Sequence, residues 1–71
     1  MIQKAIKMPS VMQGCHTLKK LFKMKAYSSV KNPTHIRMTE CYIYCNEKDE
    51  KIVRQLVQEF KERYYEKVNG L

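Results

Sequence analysis

HIRMTECYIYC, residues 35–45, is the stretch whose reading decides the fold. Apolar and polar side chains alternate along it, the period of a half-buried strand. Thr39-Glu40 offers a tight connection that divides it into two strands, residues 35–39 and 41–45. With the turn there, Met38 pairs with Cys41 and Ile36 with Ile43, all on one apolar face. Thr39-Glu40 lacks the Gly or Asn that a two-residue hairpin favours, so one long strand over 35–45 is the competing reading.

Working outward, KAYSSV (residues 25–30) reads as a third strand, and Lys31-Asn32-Pro33-Thr34 as a turn built on Asn and Pro. Ala26, Ser28 and Val30 then join the apolar face. Upstream, Ser10 is a candidate N-cap. Val11, Cys15, Leu18 and Phe22 follow at i, i+4, i+7 and i+11, one face of a helix that Leu21 widens. Gly14 weakens that helix by about 1 kcal/mol against alanine. Downstream, Asn46 caps a second helix with Asp49 three residues on. Its stripe is Ile52, Val53, Leu56, Val57, Phe60, Tyr64 and Val68, with a stop at Asn69-Gly70. The expected fold is α+β in the order α-β-β-β-α, a three-stranded antiparallel sheet with two helices packed on one face. Residues 1–9 read as a basic N-terminal segment and 10–71 as the single domain.

The charge is unevenly placed. Residues 1–45 carry seven lysines and Arg37 against Glu40 alone, a balance of +7, whereas residues 46–71 carry six bases and six acids. Such asymmetry concerns partners and not fold, and it points to nucleic acid or another anionic surface. The expected sheet phase gathers Lys25, Tyr27, Lys31, His35, Arg37, Tyr42 and Tyr44 on the face that the helices leave open. Cations for phosphates and rings for bases are what RNA-binding sheets present. Lys19, Lys20 and Lys23, off the apolar stripe of the first helix, extend the candidate RNA-binding set. The plainer reading is that tyrosines favour strands and lysines keep an exposed sheet soluble.

Other chemistry is hard to place on 71 residues. There is no glycine-rich phosphate loop, no paired catalytic carboxylates and no metalloprotease motif, so the expectation is a non-enzyme with no cofactor. Cys15-His16 points to different sides of a helix and has no orienting acid nearby. Cys41 and Cys45 would stand about 13 Å apart on a strand, too far for a disulfide. Without a Cys-x-x-Cys pair no zinc site is expected. The cysteines read as buried thiols of a reducing compartment and the methionines as gap fillers. No apolar run reaches the ~20 residues that span a bilayer, and the N-terminus lacks the apolar core of a secretory signal.

The order of elements, together with short motifs, resembles the Alu-domain proteins of the eukaryotic signal recognition particle. Leu18-Lys19-Lys20-Leu21-Phe22 is similar to the end of that family's first helix and Ser28-Ser29-Val30 to its first strand. Ile36-Arg37-Met38-Thr39-Glu40 is similar to a strand of the larger member. Val57-Gln58-Glu59-Phe60 with Tyr64, and then Asn69-Gly70-Leu71, resemble that member's last helix and the residues after it. The family's long loop after the first strand is cut here to a turn, and its lysine-rich tail is missing. The resemblance implies a cytoplasmic ribonucleoprotein subunit that binds the particle's folded Alu RNA and slows elongation during targeting. It also implies a second small protein subunit in a heterodimer or homodimer, with no small-molecule substrate and no membrane insertion. Arg37, Lys25 and Lys31 are the strand-borne RNA contacts it implies.

Two further resemblances compete. In the smallest core subunit of the transcription and repair factor TFIIH, a strand ending in cysteine precedes the first helix, and a DDTHVFV-like strand precedes the last. Val11-Met12-Gln13-Gly14-Cys15, Lys20 and Thr39-Glu40-Cys41-Tyr42-Ile43-Tyr44 are similar to these, although His16-Thr17 replaces that family's Asp-Pro. This resemblance implies a nuclear protein-interaction subunit. The discriminating segment is 5–15: a strand favours TFIIH, and a helix from Ser10 favours the Alu-domain fold. Ser29-Val30-Lys31 and residues 35–39 also resemble strands of a small large-subunit ribosomal protein.

Overall fold

The computed structural model describes residues 2–69, with side chains described as far as Tyr64. The chain forms β1 (Gln3–Lys7), α1 (His16–Ser29), β2 (Arg37–Met38), β3 (Tyr42–Asn46) and α2 (Glu50–Asn69). Single 3-10 turns at Pro33–His35 and Glu47–Asp49 lead into β2 and α2. The class is the expected α+β, with three antiparallel strands and two helices. One strand comes from elsewhere in the chain. Residues 25–30 do not form a strand: 25–29 are the last turns of α1, and the third strand is β1, from the segment expected to be an arm.

The sheet order is β1-β3-β2, so β3 lies in the centre and pairs antiparallel with both neighbours. Arg37 stands opposite Tyr44 and Met38 opposite Ile43. The expected hairpin therefore exists with its pairing shifted by two residues. A shift by an even number leaves every side chain on its original face. Thr39 makes the turn without Gly or Asn. Its N–H donates to the Tyr42 carbonyl at 2.8 Å, and its Oγ1 accepts from the Tyr42 N–H at 3.1 Å.

The expected helix start at Ser10 also moves. Residues 10–14 are a turn closed by Met12 N–H onto the Pro9 carbonyl at 2.9 Å. Gly14 ends it with φ at +77°, a left-handed conformation that glycine adopts without a Cβ penalty. α1 begins only after Cys15, whose backbone is extended and whose side chain makes no cap. Within α1, Leu18, Phe22 and Ala26 are buried at i+4 steps, and Val30 continues the row.

Both helices lay their stripes on one side of the sheet. Leu18, Phe22 and Ala26 of α1 and Val53, Leu56 and Phe60 of α2 share one core with Ile6, Met8, Ile36, Ile43 and Cys45. Phe22 meets Phe60 edge-on at 5.2 Å between ring centres, a geometry worth about 0.5–1.5 kcal/mol beyond area burial. Ile6 and Met8 are 3% and 1% exposed, so residues 3–8 belong to the domain and the boundary expected after residue 9 has no counterpart. Ile52, Val57 and Tyr64 pack partly against the core as expected. The side chain of Val68 and the stop at Asn69-Gly70 lie outside the described residues.

Asp49 was expected at the mouth of α2 and instead turns inward. It is fully buried and accepts the Lys31 N–H at 3.0 Å, the Asn32 N–H at 3.0 Å and the Asn32 side-chain amide at 3.1 Å. One carboxylate thus ties the exit of α1 to the entry of α2. Asn46 does the capping, accepting from the Lys48 N–H at 2.8 Å.

Candidate functional site

The alternation along the strands separates two faces. Ile6, Met38, Ile43 and Cys45 turn toward the helices. Gln3, Ala5 and Lys7 of β1, Arg37 of β2, and Tyr42 and Tyr44 of β3 turn away. Cross-strand pairing sets Lys7 beside Tyr42, Ala5 beside Tyr44, and Arg37 on the other side of Tyr44. The Arg37 guanidinium lies 5.6 Å from the Tyr44 ring centre, within cation–π range. The Tyr42 and Tyr44 rings are 6.4 Å apart. Tyr42 is exposed, and no element among the described residues packs over this face. The expected uncovered surface carrying Arg37, Tyr42 and Tyr44 is therefore present.

The rest of the expected set is elsewhere. Because residues 25–29 are helical, Lys25 and Tyr27 sit on α1 with Lys19, Lys20 and Lys23. Lys31 lies in the loop after it, its backbone N–H held by Asp49. His35 closes the 3-10 turn before β2, with Nδ1 buried and without a hydrogen-bond partner. The structure thus brings three of the expected RNA-binding residues together on the sheet and distributes the other seven over α1 and the loops. Lys7, Ala5 and Gln3 were missed, although the alternation of Ile6 and Met8 with Lys7 is a strand signal.

Beside the open face, β1 is an edge. Its even-numbered residues bond β3: the Glu47 N–H donates to the Ile2 carbonyl at 3.0 Å and the Met8 N–H to the Cys41 carbonyl at 2.7 Å. By antiparallel alternation, the backbone groups of Gln3, Ala5 and Lys7 point away from β3, into the open side. Lysines on such an edge discourage indiscriminate pairing.

A further candidate surface lies between α1 and β2. His16, Lys19, Lys20, Lys23, Met24 and Tyr27 line it from α1, and Met38 from β2. Met24 and Tyr27 are 63% and 47% exposed. Lys19 pairs with Glu40 at 3.1 Å, and Lys23 sits 5.8 Å from the Tyr27 ring centre.

The titrating groups are structural. Burial pushes the Asp49 carboxyl up, but the Lys31 and Asn32 hydrogen bonds outweigh it, and the net direction is down. Burial, with Asp49 and Glu50 nearby, raises the Cys45 thiol, which therefore stays protonated and packs as a small apolar group. Cys15 and Cys41 are half-buried free thiols, and Cys41 Sγ lies 3.8 Å from Gln13 Oε1. Among the described residues, no group of three or more His, Cys, Asp or Glu side chains is placed to hold a metal ion. No helix among them is long and apolar enough to cross a membrane. No protein-family model matches the chain, and no curated protein or solved structure is detectably similar to it.

Proposed function

We propose that this chain is a small protein-interaction subunit of the kind found as the smallest core subunit of TFIIH, acting in the nucleus. The observation that carries the reading is β1 preceding α1. A strand before the first helix belongs to the TFIIH resemblance, whereas the Alu-domain resemblance has its three strands between the helices. The strand is offset, since β1 ends at Lys7 and residues 11–15, the stretch matched to that family's cysteine-ended strand, form a turn and not a strand here. Cys15 falls immediately before α1, and the segment matched to the DDTHVFV-like strand runs into β3. The open sheet face suits a protein partner. Tyr and Arg are among the residues enriched where interfaces are well packed, and Arg37 and Tyr42 cluster around Tyr44, with the small Ala5 on its other side. The unpaired β1 edge adds backbone groups that a partner strand can satisfy.

A second reading, binding of structured RNA, is favoured by the guanidinium resting on Tyr44 beside the exposed Tyr42 ring. Against it, Lys7 and Arg37 are the only cations that the strands turn to that face. Purification of the tagged chain from its own cells separates the two. Co-purification of the other TFIIH core subunits is expected, weakened about tenfold or more by Tyr44→Ala with Arg37→Ala. Recovery of signal recognition particle RNA without those subunits establishes the RNA reading instead. Recovery of neither removes both.

A further inference from the structure

The groove between α1 and β2 carries its own chemistry, independent of the sheet face and of the reading drawn from it. Its basic residues lie on one helix face: His16, Lys20 and Lys23 follow at i, i+4 and i+7. Lys19 is already paired with Glu40. Among the described residues, Lys20 and Lys23 have no acidic partner within salt-bridge distance. Beside them lies an apolar patch of Met24, Tyr27 and Met38, with Met24 the most exposed of the large apolar side chains among the described residues.

We infer that this groove docks an acidic amphipathic peptide segment of a partner protein, carboxylates on the lysine row and an aliphatic or aromatic side chain on the methionine patch. Charge complementarity selects an acidic occupant. The apolar side chains select one with apolar groups of its own, because phosphates alone leave the exposed Met24 in water. Methionines suit such an occupant further, since their flexible thioethers repack around varied side chains. The surface is open and shallow, bordered by α1 on one side and Met38 on the other. Recognition by an apolar stripe in a groove with charged borders is a general mode for helical peptides.

The test is fluorescence anisotropy of the full chain with a labelled peptide of about 12 residues carrying Asp and Glu around Leu and Phe at helical spacing. Saturable binding is expected, with Kd of about 10–100 μM. Replacing the peptide's Leu and Phe by Ser should weaken it about tenfold, as should Lys20→Glu with Lys23→Glu on the protein. Met24→Ser removes an exposed side chain and should weaken binding several-fold while leaving the thermal transition in place. Tyr44→Ala, on the sheet face, should leave peptide affinity unchanged, so failure here is distinguishable from failure of the proposed subunit role. Equal binding of the Ser-substituted peptide, or absence of saturation at millimolar peptide, overturns the inference. Displacement of the peptide by a single-stranded oligonucleotide or by anionic vesicles at lower concentration assigns the groove to those occupants instead.

Discussion

The sheet face and the α1 groove are both basic and both aromatic, yet they are built differently. On the sheet, two tyrosines and Ala5 form the surface and Lys7 and Arg37 flank it. In the groove, three lysines and a histidine surround two methionines and one tyrosine. The first offers flat rings held rigidly by strand pairing. The second offers long adaptable side chains on one helix. Five of the eight bases of residues 1–45 lie on these two surfaces, Lys7 and Arg37 on the sheet and Lys19, Lys20 and Lys23 in the groove, so net charge alone overstates how basic either one is.

Both surfaces depend on the same fastening, and its removal should have the largest effect. Asp49→Ala leaves the Lys31 and Asn32 donors unsatisfied and should cost about 2–3 kcal/mol, seen as a lower urea midpoint. The pH dependence isolates the charge. The folded carboxyl titrates below its ordinary value of 3.8, so its stabilisation is fully present above that value and disappears as pH falls through the lower folded one. The stability gap between wild type and Asp49→Asn should therefore close in acid below about pH 4. A gap that stays constant would show that shape and not ionisation holds the loop.

The next effect sharpens the contrast. Tyr44→Ala should cut partner affinity at the sheet about tenfold and leave peptide binding at the groove intact, and Lys23→Glu the reverse. Parallel losses from either change would merge the two surfaces into one. Glu40→Gln should have the smallest effect. The Glu40 side chain is 76% exposed and the Lys19 side chain 18%, and an ion pair open on one side contributes about 1 kcal/mol. Freeing Lys19 should instead strengthen acidic-peptide binding slightly at low salt.

The hairpin and α2 were legible because their patterns are local. Residues 35–45 alternate cleanly, and α2 repeats its apolar stripe over five turns. The phase of Arg37, Tyr42 and Tyr44 followed from the same alternation. Residues 25–30 misled because Ala26, Ser28 and Val30 fit a strand as well as they fit a helix. The deciding signal was tertiary: Leu18, Phe22, Ala26 and Val30 continue one row at i+4, all buried. β1 escaped because Lys4 and Lys7 look like a solvated arm, although charged residues on an edge strand are a protection against aggregation. Gly14 seemed only a weak spot in a helix. Its positive φ makes it the hinge that separates β1 from α1.

The two-residue offset in the hairpin sets a rule of parity for the register of β2 on β3. A slip by a pair of residues slides β2 along β3 while Arg37 keeps to the open face. A one-residue slip of β2 along β3 would send the guanidinium under the helices and bring Met38 out to solvent. An odd change in the length of the turn is tolerated where a bulge or a longer loop absorbs it and leaves the Arg37–Tyr44 pairing in place.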